Sequence, residues 1–217
     1  MRVALIGYGS VARAFAALVA EQQKRFPFRI AGAHTRRGTA YGPVLEFGPV
    51  AGSVGEFLDR AQAEVLVELS SLSPETGEPA LTHIREAFAR GMHVVTANKG
   101  PLAHAFGALR AEAAARGVEF RYESTVMDGS PVFNMVRNCL PGVKVLGFSG
   151  ALNSTTKIIL RAMEAGRTLF KMVRPPAAAI DEFFKNVLRS IKTLLFHCPI
   201  NFSLVSKPFP DRPFAGF

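Results

Sequence analysis

Apolar and polar positions alternate between two patterns along the first half of the chain. "RVALIG" is a short unbroken apolar run, and "SVARAFAALVAEQQKRF" after it sets Val11, Phe15, Leu18 and Val19 at helical spacing. "FRIAGAHT" reads as a second strand, the Gly- and Pro-rich stretch 38–52 as loop, and "SVGEFLDRAQ" as a short helix. "AEVLVELS" is strand, "TGEPALTHIREAFARG" a helix ending at Gly91, and "HVVTA" strand again. "GPLAHAFGALRAEAAARG" has Pro101 early and Gly117 past its end, as helix termini prefer, and "VEFRYEST" closes the series as a strand. These strands are continuous apolar runs, not in-out alternations, and helices separate them. The pattern predicts an α/β fold, a doubly wound parallel sheet covered on both faces, over residues 1–125.

The pattern then loosens. "GSPVFNMVRNCLPG" reads as helical, "VKVLGFSGAL" as a strand and "NSTTKIILRAMEAG" as a helix, the opening elements of a second domain over 126–170. From residue 171 to 217 the composition shifts to Lys, Phe, Ile and Pro. There Ile180, Phe183, Phe184, Val187, Leu188, Ile191, Leu194 and Leu195 make the apolar stripe of an amphipathic docking helix.

Composition narrows the function classes. The net charge is +9, yet residues 1–170 hold 19 Lys/Arg against 14 Asp/Glu, while 171–217 hold 7 against 3. The basic excess is concentrated in the tail and forms no long run, so neither nucleic acid nor membrane is an expected partner. Cys139 and Cys198 lack disulfide-scaffold or metal-ligand spacing. The first apolar run ends in glycines that suit a tight turn, not a cleavage site, so a cytoplasmic location is the expectation.

The chemistry gathers at strand ends. "GYGSVA" is a G-x-G-x-x-A turn at the first strand–helix junction. Gly7 permits the turn, and Gly9 lets a pyrophosphate approach the backbone. Ser10 and Val11 open the helix, and Ala12 keeps it close to the sheet. The end of the second strand, "AGAHTRRGTAYG", has no carboxylate for a ribose 2′-hydroxyl but presents Arg36 and Arg37, which suit a 2′-phosphate. NADP is therefore expected ahead of NAD. Ser70 and Ser71 end the "VELSS" strand on the edge where a nicotinamide would sit, with helix capping by Ser73 or Thr76 as the competing use of such hydroxyls. Lys99 leaves the same edge after "HVVTA", placed to bind a polar substrate or relay a proton.

With these residues in view, the chain resembles the homoserine dehydrogenase family over about residues 1–170. The resemblance lies in "GYGSVA", "VVTANKGPLA", "YESTVMDGSPVFN" and "GFSGALNSTTKIILRAMEAGRTLF". It implies a Rossmann NAD(P)-binding domain followed by part of an α+β substrate and dimerisation domain. It also implies NAD(P)-dependent interconversion of L-homoserine and L-aspartate 4-semialdehyde, on the route to threonine, methionine and isoleucine. Lys99 matches the catalytic lysine, Thr96 and Ala97 match positions lining the nicotinamide, and Ser154 and Thr155 match positions near the substrate. Glu123, with the carbonyls of Val126, Asp128 and Ser130, matches a monovalent cation site, usually sodium; the alternative for Glu123 is a buried carboxylate bonded to its own turn.

The chain also departs from the family. Lys157 and Ile158 stand where Asn and Tyr are usual, and the acidic segment that holds the substrate amino group is not found after Phe170. Asp181 and Lys185 are weak stand-ins, with an exposed helical ion pair as their plainer reading. The competing expectation is thus a truncated, non-catalytic NADP-binding homologue, in which the family's homodimer is also in doubt.

Overall fold

The computed structural model describes residues 1–127 and 130–147. Arg2–Ile6 forms β1 and Ser10–Glu21 forms α1; β2 is Arg29–Thr35, β3 is Gly38–Tyr41 and α2 is Val54–Ala61. β4 (Val65–Glu68), α3 (Ala80–Ala89), β5 (His93–Thr96), α4 (Lys99–Ala115) and β6 (Phe120–Arg121) follow. The strands make one sheet in the order β3-β2-β1-β4-β5-β6.

The apolar runs explain this architecture. In β1, Val3 and Leu5 enter one core with Phe15 and Val19 of α1, while Ala4 and Ile6 enter the other with Phe57, Leu58, Ile84 and Phe88. β4 divides in the same way, with Val65 and Val67 on the α1 side and Leu66 on the side of α2, α3 and α4. A strand buried on both faces needs no polar alternation, which is why these segments read as unbroken runs. Among the described residues, no helix is long and apolar enough to cross a membrane.

Three details differ from the sequence reading. The stretch read as loop from residue 38 contains β3, which pairs antiparallel to β2 with Thr35 opposite Gly38, so the sheet is mixed at that edge. "VEFRYEST" yields only the two residues of β6, because the chain then tightens into a 3-10 turn over Glu123–Thr125. Residues 143–147 carry no strand, and the helix expected over 129–142 is realised as the short α5, Val132–Asn134, running into a wider turn over Met135–Cys139. The expectations for Asp128, Ser154, Thr155, Asp181, Lys185 and the tail helix lie outside the described residues.

β1 pairs with β2 on one side and β4 on the other, both parallel, so the winding direction reverses between β1 and β4. In an open α/β sheet, ligands bind beyond the carboxyl ends of the strands at that reversal.

Candidate cofactor cleft

The turn leaving β1 is shaped by Gly7. Its φ is +89°, and a Cβ there would overlap the Leu69 carbonyl and lie 2.8 Å from the Ser70 nitrogen, so the turns after β1 and β4 are in direct contact. Gly9 is different: a Cβ at that position would meet nothing within 4 Å. Gly9 also precedes α1, which has no side-chain cap and no acidic residue in its first turn. The first amide to bond within the helix is that of Arg13, to the Gly9 carbonyl. The amides of Ser10, Val11 and Ala12 are therefore left without helical acceptors, at the positive end of the helix dipole. An anion fits there.

The contrast gives a prediction. Gly7→Ala should destabilise the chain by about 3 kcal/mol through overlap and backbone strain. Gly9→Ala should change stability by less than about 0.5 kcal/mol and weaken dinucleotide binding by about tenfold, the loss of close backbone approach. Urea denaturation beside a cofactor titration checks both.

A cavity of about 710 Å³ opens over this junction. Gly7 and Gly9 border it beside Arg36, Arg37, Ser70 and Ser71, so the structure brings these six predicted residues to one cleft. The two arginines form the tip of the β2–β3 turn. The Thr35 hydroxyl accepts from the amides of Arg37 and Gly38 at 3.1 Å each and donates to the Gly38 carbonyl at 3.0 Å. Tyr8 and Phe47, with ring centroids 5.1 Å apart, add an aromatic wall.

Ser10, Val11, Ala12, Thr96, Ala97 and Lys99 are not among the residues bordering the cavity. Thr96 is fully buried, and its hydroxyl donates to the Glu68 carboxylate at 3.0 Å. The Ala97 amide donates to the Glu68 carbonyl at 3.4 Å. Lys99 is exposed as the first residue of α4, and Asn98 caps that helix through its Oδ1, which accepts from the Gly100 amide at 3.1 Å. Asn98 Nδ2 also donates to the Ser70 and Ser71 carbonyls at 3.4 Å each. Lys99 thus follows directly on a residue tied to the cleft rim, at the same sheet edge as Gly7 and Ser70.

The chain matches the model of the homoserine dehydrogenase NAD-binding domain over residues 7–123, more than half its length. The chain belongs to the homoserine dehydrogenase family. It is 37% identical to a homoserine dehydrogenase of Sulfurisphaera tokodaii over 171 residues, covering 76% of this chain and 55% of that protein. It is 32% identical to an NAD(+)-dependent homoserine dehydrogenase of Pseudomonas canavaninivorans, covering 76% and 54%. A hyperthermophilic archaeal homoserine dehydrogenase solved in complex with NADPH superposes with a TM-score of 0.63 at 25% identity, covering 86% of this chain and 61% of that one. The chain spans about half the length of the curated relatives it matches.

Within this homoserine dehydrogenase-family domain, Glu123 is buried, and its carboxylate accepts from the Phe133 amide at 3.0 Å and the Asn134 amide at 3.1 Å. Burial raises its carboxyl above the usual carboxylate range, against the opposing pull of those amides. Glu123 therefore bonds to the amides of α5, not to the turn that it opens.

Several site residues escaped the sequence reading. Glu68 inside "VELSS" carries no local signal, whereas Asn98 inside "TANKG" has one, since a polar residue before a helix is a capping signal. His83 and His34, which also border the cleft, carry no local pattern that announces them. The His34 Nδ1 lies 2.9 Å from the Thr39 hydroxyl, and burial first, then the nearby His83, hold its imidazole below its ordinary range. The unfolded chain then binds the proton more readily. Stability from His34 is complete above about pH 6.5 and is lost as pH falls through the depressed folded value. Urea midpoints should fall from pH 7.5 to pH 5.5, and His34→Gln should flatten that slope.

Proposed function

We propose that this chain carries an NADP-preferring homoserine dehydrogenase-type site for the interconversion of L-homoserine and L-aspartate 4-semialdehyde. The observation that carries the reading is the convergence of the glycine turn that precedes α1, the Arg36–Arg37 tip and the Ser70–Ser71 turn on one cleft at the winding reversal. The α1 amides and the space at Gly9 receive the pyrophosphate. Arg36 and Arg37 receive the 2′-phosphate that distinguishes NADP from NAD. Ser70 and Ser71 border the nicotinamide end, with Thr96 at the end of β5 and Ala97 just after it bonded to Glu68. The bound cofactor supplies a hydride acceptor at its nicotinamide ring. Lys99 handles the proton that the substrate hydroxyl must lose when its carbon gives up that hydride.

A monovalent cation at the Glu123 turn belongs to the same proposal. The carboxylate keeps lone-pair capacity beyond its two amide donors, and the Ser124 hydroxyl is buried without a partner among the described residues. Oxygen donors of this kind suit a hard cation such as sodium.

The test is NADP⁺ reduction by the purified chain with L-homoserine, followed at the NADPH absorbance and repeated with NAD⁺. Homoserine-dependent reduction favouring NADP⁺ is expected. Tight NADPH binding without turnover would instead identify a binding homologue.

A further inference from the structure

Glu68 is fully buried at the end of β4, in the middle of the sheet. The three β4 residues before it are Val65, Leu66 and Val67, equally buried and wholly apolar. Burying a carboxylate costs several kcal/mol that an apolar residue of similar volume would spare. Among the described residues, the nearest candidate counter-charge is the His83 imidazole, whose Nδ1 is 3.6 Å away, beyond hydrogen-bond range. Fold stability alone therefore gives little reason for an acid here.

Its bonds do give one. Oε1 accepts from the Ser70 amide at 2.9 Å and from the Ser70 hydroxyl, and Oε2 accepts from the Thr96 hydroxyl at 3.0 Å. Thr96 Oγ1 accepts in turn from the Asn98 amide at 3.0 Å, and Asn98 Nδ2 returns to the Ser70 carbonyl at 3.4 Å. The result is a closed circuit from β4 through Thr96 and Asn98 back to Ser70. It fastens the turn after β4 to the cap of α4, the two segments that present Ser70–Ser71 and Lys99. A carboxylate is suited to this place because it accepts from several donors at once and donates to none.

We propose that Glu68 is a positioning residue for the nicotinamide end of the cleft, holding the Ser70–Ser71 turn and the start of α4 in fixed relation through Thr96 and Asn98. This rests on the dinucleotide reading of the same cleft. No hydrogen bond of the circuit reaches the glycine turn or the arginine tip, so its loss acts mainly on the nicotinamide half of the cofactor.

The test compares two ligands on the full chain, NADPH and adenosine 2′,5′-bisphosphate, which carries the 2′-phosphate but no nicotinamide. Dissociation constants are measured for the natural chain and for Glu68→Gln, Thr96→Val and Thr96→Ser, with thermal melting of each. In Glu68→Gln a donor replaces an acceptor, and NADPH binding should weaken by about tenfold while the bisphosphate changes by less than about twofold. Thr96→Val should behave alike, and Thr96→Ser, which keeps the hydroxyl, should restore NADPH affinity. Equal losses for both ligands, no loss, or a Ser variant as weak as the Val variant overturns the inference. If Glu68→Gln does not fold, the Thr96 pair alone decides. A natural chain that binds neither ligand would sink the cleft reading itself, an outcome distinct from all of these.

Discussion

Replacing Arg36 and Arg37 together by Ser is expected to weaken NADPH binding by about 100-fold and to leave NADH binding within about threefold. Each guanidinium that meets the 2′-phosphate makes a charge-assisted hydrogen bond, for which about 1.5–3 kcal/mol is usual. Both side chains are exposed, and screening by salt holds the pair to the lower end of that range. The residues sit on a turn held by the Thr35 hydroxyl and backbone pairing, not by their own side chains. Their removal should therefore leave the fold intact. NADPH affinity of the natural chain should also fall with rising ionic strength more steeply than NADH affinity. Fluorescence titration of the two cofactors at two salt concentrations reads all four quantities.

Lys99→Met is expected to reduce homoserine-dependent turnover by about 10²–10⁴, the usual weight of a general acid–base group. NADPH affinity should change by less than about threefold, because Lys99 does not border the cavity. The fold offers little other use for this side chain. An ammonium at the first position of α4 opposes the helix dipole, which disfavours a cation by about 0.3–1 kcal/mol. Among the described residues Lys99 forms no ion pair. Methionine keeps the length and removes the charge, so the melting temperature should hold or rise slightly while turnover collapses. A parallel fall in stability and activity would return Lys99 to a structural role.

What the chain disclosed before its structure divides along a physical line. The glycine turn was legible because its requirements are local: a positive φ at Gly7 and a short helix entry at Gly9 are written in consecutive residues. The buried strands were legible because two-sided burial leaves an unbroken apolar run. β3 was not, since the Thr35–Gly38 turn uses a threonine hydroxyl and no residue of positive φ in place of an Asn-Gly signal. The end of β6 was hidden because Tyr122 packs against Phe106 and Phe133, and Glu123 turns to meet the amides of α5. Neither contact is visible in "RYEST". The Glu68 circuit was hidden for a related reason. Thr96 lies 28 residues from Glu68, and only the parallel register of β4 and β5 makes them neighbours.

The proposed dinucleotide site lies where the winding of the sheet reverses. Hydrogen exchange of the full chain with and without NADPH tests this most directly. Protection should appear at the turn after β1 and the first turn of α1, at the Arg36–Arg37 tip, and at the turn after β4. A second hollow, lined by Arg2, Arg29, Tyr41 and Arg60 where β1 and β2 begin, offers the cofactor phosphates an alternative basic surface. Protection confined to that hollow, or none at all under saturating NADPH, would contradict the account.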